Sequence, residues 1–100
     1  MSPWLTLSLA VAFGTTSAAY AHPTIDEARR RLGDADFEAA VAEFNRAEQS
    51  GQLGRDDLLL LLEGRATARW AVGDEANARA DLVALASLAL LRAVAQGLEQ

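Results

Sequence analysis

The chain predicts an all-α protein: two consecutive antiparallel helical hairpins behind a signal peptide. Three observations lead there. Ala and Leu dominate the composition, and both are strong helix formers. Apolar residues recur at three- and four-residue steps, and no segment alternates apolar with polar. Breaks fall at Pro23, Gly33, Gly51 to Gly54 and Gly73, which cuts the chain into helix-sized pieces. A chain of 100 residues, 51% apolar and 23% charged, makes one small globular domain.

The first segment reads as an address. Residues 1–21 contain no Asp, Glu, Lys or Arg. Trp4 to Phe13 is an apolar core, Gly14 to Ser17 break it, and Ala19-Tyr20-Ala21 supplies the small-x-small pattern of a signal-peptidase site. Cleavage is expected after Ala21, with Ala19 as the second choice, leaving His22 as the mature N-terminus. The apolar run is short for a membrane span of about 20 residues, so an uncleaved anchor is the weaker reading. Residues 22–100 are then a periplasmic or secreted helical domain with no integral membrane segment.

The first helix is expected over about Ile25 to Leu32, begun by Thr24-Ile25-Asp26-Glu27 as a capping box and stopped by Gly33. Asp36 caps the second, which runs to Gln49 or Ser50. Phe37, Ala40, Val41, Phe44 and Ala47 form its buried stripe. Ser50 to Gly54 is a turn. Asp56 and Asp57 place negative charge at the start of the third helix, where the helix dipole favours it. That helix ends near Val72 at Gly73, and Asp74 caps a fourth running from Glu75 to Val94 or beyond. Short connections of this kind join antiparallel neighbours.

Net charge is −5 and the pI is about 4.7, which argues against nucleic acid and against an anionic membrane surface. With no cysteine, disulfide scaffolds, thiolate zinc sites and thiol nucleophiles are excluded. One histidine leaves no His-rich metal site and no Ser-His-Asp triad. His22, if it is the mature N-terminus, pairs an amine with an imidazole. A copper site of that type needs further ligands, so a solvated terminus is the reading. No cofactor or metal is expected. No nucleophile–base pair can be assembled, so the chain does not read as an enzyme.

An internal repeat appears at an offset of 38 residues. Ala28 aligns with Ala66, Arg31 with Arg69, Asp36 with Asp74, Ala40 with Ala78 and Ala42 with Ala80. Leu32 meets Trp70, Phe44 meets Leu82 and Glu43 meets Asp81. The repeated units cover about 24–50 and 55–96.

On these residues the chain resembles the tetratricopeptide repeat (TPR) family. That family places a small residue in its first helix, then an Ala-x3-aromatic pair, then a small residue in its second. Ala28, Ala40, Phe44 and Ala47 match in the first unit, and Ala66, Ala78 and Leu82 in the second. Gly73 to Ala80 looks like a TPR inter-helix turn and second-helix start. The spacing exceeds the family's usual figure of about 34 by the length of a short insertion. Arg31 and Arg69 stand where the family has Tyr, and Glu27 and Arg65 where it has Leu. The resemblance implies an exported, non-enzymatic protein–protein interaction module, a scaffold or adaptor. It also implies that first helices line a concave groove, with Ile25, Arg29, Leu32, Glu63, Thr67 and Trp70 toward it. The asparagine and lysine residues that clamp a peptide carboxylate in many TPR domains are missing.

Glu63 with Arg65, Arg69 and Trp70 is the best candidate recognition surface. The last helix is anomalous: Leu82 to Leu91 is uncharged and apolar nearly all round, where a surface helix should show a polar face. It calls for a protein partner or self-association. The candidate partner-binding residues are therefore Arg29, Glu63, Thr67, Trp70, Leu88 and Leu91. The competing reading is a small four-helix bundle holding an apolar ligand or lipid, suggested by Leu58 to Leu62 and the Leu-rich last helix.

Overall fold

The computed structural model describes residues 22–98, so the expected signal peptide lies outside the described residues. Four α-helices make up this region, and it contains no strand: α1 is Pro23–Gly33, α2 Phe37–Ser50, α3 Arg55–Ala71 and α4 Glu75–Leu98. Each helix packs on the next, and α1 also touches α3. The core gathers Ile25 and Ala28 from α1, Ala40, Phe44 and Ala47 from α2, and Leu61, Leu62 and Ala68 from α3. The stripe expected on α2 is the buried one: Ala40, Phe44 and Ala47 are sealed, and Phe37 and Val41 pack against the cluster. Gly64 makes the close approach of α3 to α2 possible. A Cβ there would lie 2.9 Å from Cε2 of Phe44 and closer still to Cζ.

The helix starts differ from expectation at α1. Pro23, with its pre-set φ and no N–H, occupies the first turn, and the helix begins at its own ring rather than after Thr24. Thr24 thus lies inside the helix, and no side chain caps it. The Glu27 carboxylate accepts instead from Arg30 Nη2 at 2.6 Å and Arg31 Nε at 3.0 Å. Asp36 does stand at the N-cap of α2, and its carbonyl accepts the Ala40 N–H at 2.9 Å. Its carboxylate does not cap; it accepts from Arg31 Nη1 at 3.3 Å. Asp56 and Asp57 occupy the first turn of α3 as the dipole argument requires.

The links within the two helix pairs, α1 to α2 and α3 to α4, repeat bond for bond at the 38-residue offset. The N–H of Asp36 donates to Arg31 O at 2.9 Å, and that of Asp74 to Arg69 O at 2.8 Å. The N–H of Ala35 donates to Leu32 O, and that of Gly73 to Trp70 O. These are the paired bonds of a Schellman end, which puts the penultimate link residue in the left-handed region. Gly33 is therefore not the left-handed stop: Ala35 is, at φ 61°, while its counterpart Gly73 sits at φ 87°. A Cβ is unfavourable there by about 1–2 kcal/mol, partly offset by the entropy that glycine loses on folding. Ala35→Gly should raise stability by about 0.5–1 kcal/mol, read as a shift in the urea midpoint, with Gly73→Ala moving it the other way.

The last helix splits into two faces. Ala84, Leu85 and Leu88 turn toward the core, whereas Leu82, Val83, Leu90, Leu91 and Val94 are exposed. The anomaly seen in the sequence is thus a real apolar surface. No described helix is long and apolar enough to cross a membrane.

Candidate functional site

Two adjoining grooves share α3 as their floor. The first, about 140 Å³, takes Arg29 and Leu32 from α1 and Leu60, Glu63, Gly64 and Thr67 from α3. The second, about 280 Å³, takes Glu63, Ala66, Thr67 and Trp70 from α3 and Leu82 from α4. Glu63 and Thr67 line both. They lie one helical turn apart, so they project side by side. The Thr67 hydroxyl donates to the Glu63 carbonyl at 2.9 Å, which fixes its rotamer.

Four of the six expected partner residues therefore come together: Arg29, Glu63, Thr67 and Trp70. Trp70 is 53% exposed, so its ring forms groove wall rather than core. Leu91 is exposed on α4. Leu88 packs against the core and is not part of that surface, because it shares the inward stripe of α4 with Leu85. Ile25, expected toward the groove, is buried under the contact of α1 with its neighbours.

Arg65 and Arg69 leave the expected recognition surface altogether. Arg65 points between α2 and α4, where it is 5% exposed and uses all five of its N–H donors. Nε donates to Asp81 Oδ2 at 3.0 Å and Nη2 to Asp81 Oδ1 at 2.8 Å, a bidentate pair. Nη1 donates to Asn45 Oδ1 and Glu48 Oε1, both at 2.9 Å, and Nη2 also reaches Glu48 Oε2 at 3.2 Å. Arg69 Nη1 adds a 2.8 Å bond to Asp81 Oδ2. Burial works against the charge of Arg65, but the carboxylates of Asp81 and Glu48 outweigh it and hold the guanidinium above its ordinary pKa. The sequence carried no signal for Asp81: the run after it is apolar on every side, so the inward stripe that holds it between Ala78 and Leu85 appears only in the fold.

The same network sets an acid response. The hydrogen bond from Arg65 holds the Glu48 carboxyl below its usual value of 4.5, and those from Arg30 and Arg31 do so for Glu27. A depressed folded-state pKa gives stability that is complete above the unfolded value and lost as pH falls through the folded one. Urea melts should therefore be level from neutral pH down to about 4.5 and shift to lower urea below it. Glu48→Gln should flatten part of that fall.

Comparison of the chain with protein-family models, with curated proteins and with solved structures gives no match.

Proposed function

We propose that the mature chain is an exported, TPR-like protein–protein interaction module with no enzymatic activity, a scaffold or adaptor that offers two surfaces. One is the groove between α1 and α3; the other is the apolar outer face of α4. The observation that carries this reading is the repeat: two helix pairs whose links share the same hydrogen bonds at one offset, with Arg29, Glu63 and Thr67 brought to one groove between their first helices. A stacked helical repeat uses its concave face for extended partners. Arg29 and Glu63 offer one charge of each sign, and Leu32 and Leu60 offer apolar wall, which suits a polypeptide segment better than a small polyanion.

The test is photo-crosslinking in the cell from a photoreactive residue at Leu60, in the α1–α3 groove alone, followed by mass spectrometry of the adducts and of the N-terminus. The expected result is a discrete protein adduct in the exported fraction and a mature N-terminus at His22. Adducts confined to lipid or to another apolar small molecule would overturn this reading in favour of the apolar-ligand bundle. An intact Met1 N-terminus on protein retained in the cytoplasm would overturn the export part.

A further inference from the structure

The groove beside Leu82 stands where the first unit has its core. Stepping back 38 positions converts Glu63, Ala66, Thr67, Trp70 and Leu82 into Ile25, Ala28, Arg29, Leu32 and Phe44. Ile25, Ala28 and Phe44 are buried, and Leu32 packs against them. The element that covers them is α3, which sets Gly64 on the Phe44 ring and Arg65 beside Asn45 and Glu48. Only Gly51 to Gly54 separate α2 from α3, and the two meet at their middles, so α3 runs opposite to α2. The second unit's face is therefore shaped for a helix running opposite to α4, with a small residue over Leu82. Asn45 and Glu48 correspond to Val83 and Ala86, so that helix needs an aliphatic residue where α3 has Arg65.

The chain carries such a helix, and it is exposed. Leu90, Ala93, Val94 and Gly97 on α4 repeat the spacing of Leu61, Gly64, Arg65 and Ala68 on α3, with Val94 in place of the arginine. Because α4 is one continuous helix, this segment cannot fold onto its own Leu82. Nor does α1 fit the role. Its residues matching Leu61, Gly64, Arg65 and Ala68 are Pro23, Asp26, Glu27 and Arg30, which disfavours head-to-tail stacking of copies.

We propose that the face of α4 is covered by a second copy of this chain, in an antiparallel α4–α4 pair about a two-fold axis. Leu90, Ala93 and Val94 of each copy cover Leu82 and Val83 of the other, and Leu90 sits on the partner's Ala86. The contact is self-complementary, as a closed two-fold interface requires, and large residues meet small ones in both directions. Between Leu82 and Val94 the one charged residue is Arg92, and it is turned to Asp56 of α3, to which Nη1 donates at 3.2 Å. The proposal rests on reading α4 as an association face; it uses the groove beside Leu82 and not Arg29, Leu32 or Leu60 of the α1–α3 groove.

The experiment is light scattering on size-exclusion chromatography of the protein expressed from Met1 and purified from the compartment where it accumulates. The expected mass is twice the protomer's. Ala93→Glu and Val83→Glu should each give a monomer with unchanged helical circular dichroism, since both positions are exposed. Val72→Glu, exposed but off this face, should leave the dimer intact. The absence of cysteine allows a second readout. An Ala86→Cys chain mixed with a Leu90→Cys chain should form a mixed disulfide, and faster than either chain with itself. A wild-type monomer at micromolar concentration overturns the proposal, as does an open series of oligomers or preferential Ala86→Cys self-linkage. The Ala93→Glu monomer should keep its crosslink from Leu60, which lines only the α1–α3 groove, so loss of the dimer and failure of the partner groove are separately visible.

Discussion

Asp81→Ala is expected to cost about 3–5 kcal/mol, the range for removing one partner of a buried ion pair. The Asp81 side chain is 5% exposed and answers two guanidiniums, on the side chains of Arg65, equally buried, and Arg69, 17% exposed. The Arg69 guanidinium has no other hydrogen bond among the described residues, and that of Arg65 keeps only Asn45 and Glu48. A core this small supplies only about 3–5 kcal/mol in all, so the variant should be largely unfolded in water. Loss of helical circular dichroism without denaturant is the measurement. Arg92→Ala makes the contrast. Its pair with Asp56 is solvated, with the aspartate 82% exposed, and should contribute under about 1 kcal/mol. Retention of a cooperative wild-type urea transition by Asp81→Ala would mean that the network is not what locks α4 to α2 and α3.

Phe44→Ala should cost a similar about 3–5 kcal/mol, through lost apolar burial and the cavity left against Gly64. Leu82→Ala, at the matching position of the second unit, should change protomer stability by about 0.5 kcal/mol or less, because Leu82 is 47% exposed. Its effect belongs instead to association, as a weaker dimer. Urea melts of Leu82→Ala in the Ala93→Glu background separate the two quantities. Equal losses for Phe44→Ala and Leu82→Ala in that monomer would show that Leu82 is core in solution.

Much of the fold was legible because it is written in short-range rules. The steps between Phe37, Ala40, Val41, Phe44 and Ala47 place one face of α2 inward whatever packs on it. Gly73 marks its link because only glycine adopts φ 87° without strain. The capping box failed on an equally local competition: Pro23 began α1 before Thr24 could cap it, and Arg30 and Arg31 took the Glu27 carboxylate. Of the candidate site, Arg29, Glu63 and Thr67 were expected at the groove through the TPR resemblance, which gave Ile25 the same place although it is buried. Leu88 and Leu91 were not distinguishable, since both belong to a run apolar on every side.

The sequence by itself determined the four helices, their links, the 38-residue repeat and the presence of an apolar surface on α4. Each depends on residues within a turn or two of one another, or on a comparison of the chain with itself. Only the tertiary structure decided that Arg65 and Asp81 are buried, that Trp70 is groove wall and that Leu88 faces in while Leu91 faces out. The partners of Arg65 lie 16 to 20 residues away on two other helices. Whether a charge is solvated or buried depends on which helices close over it, and no local pattern records that.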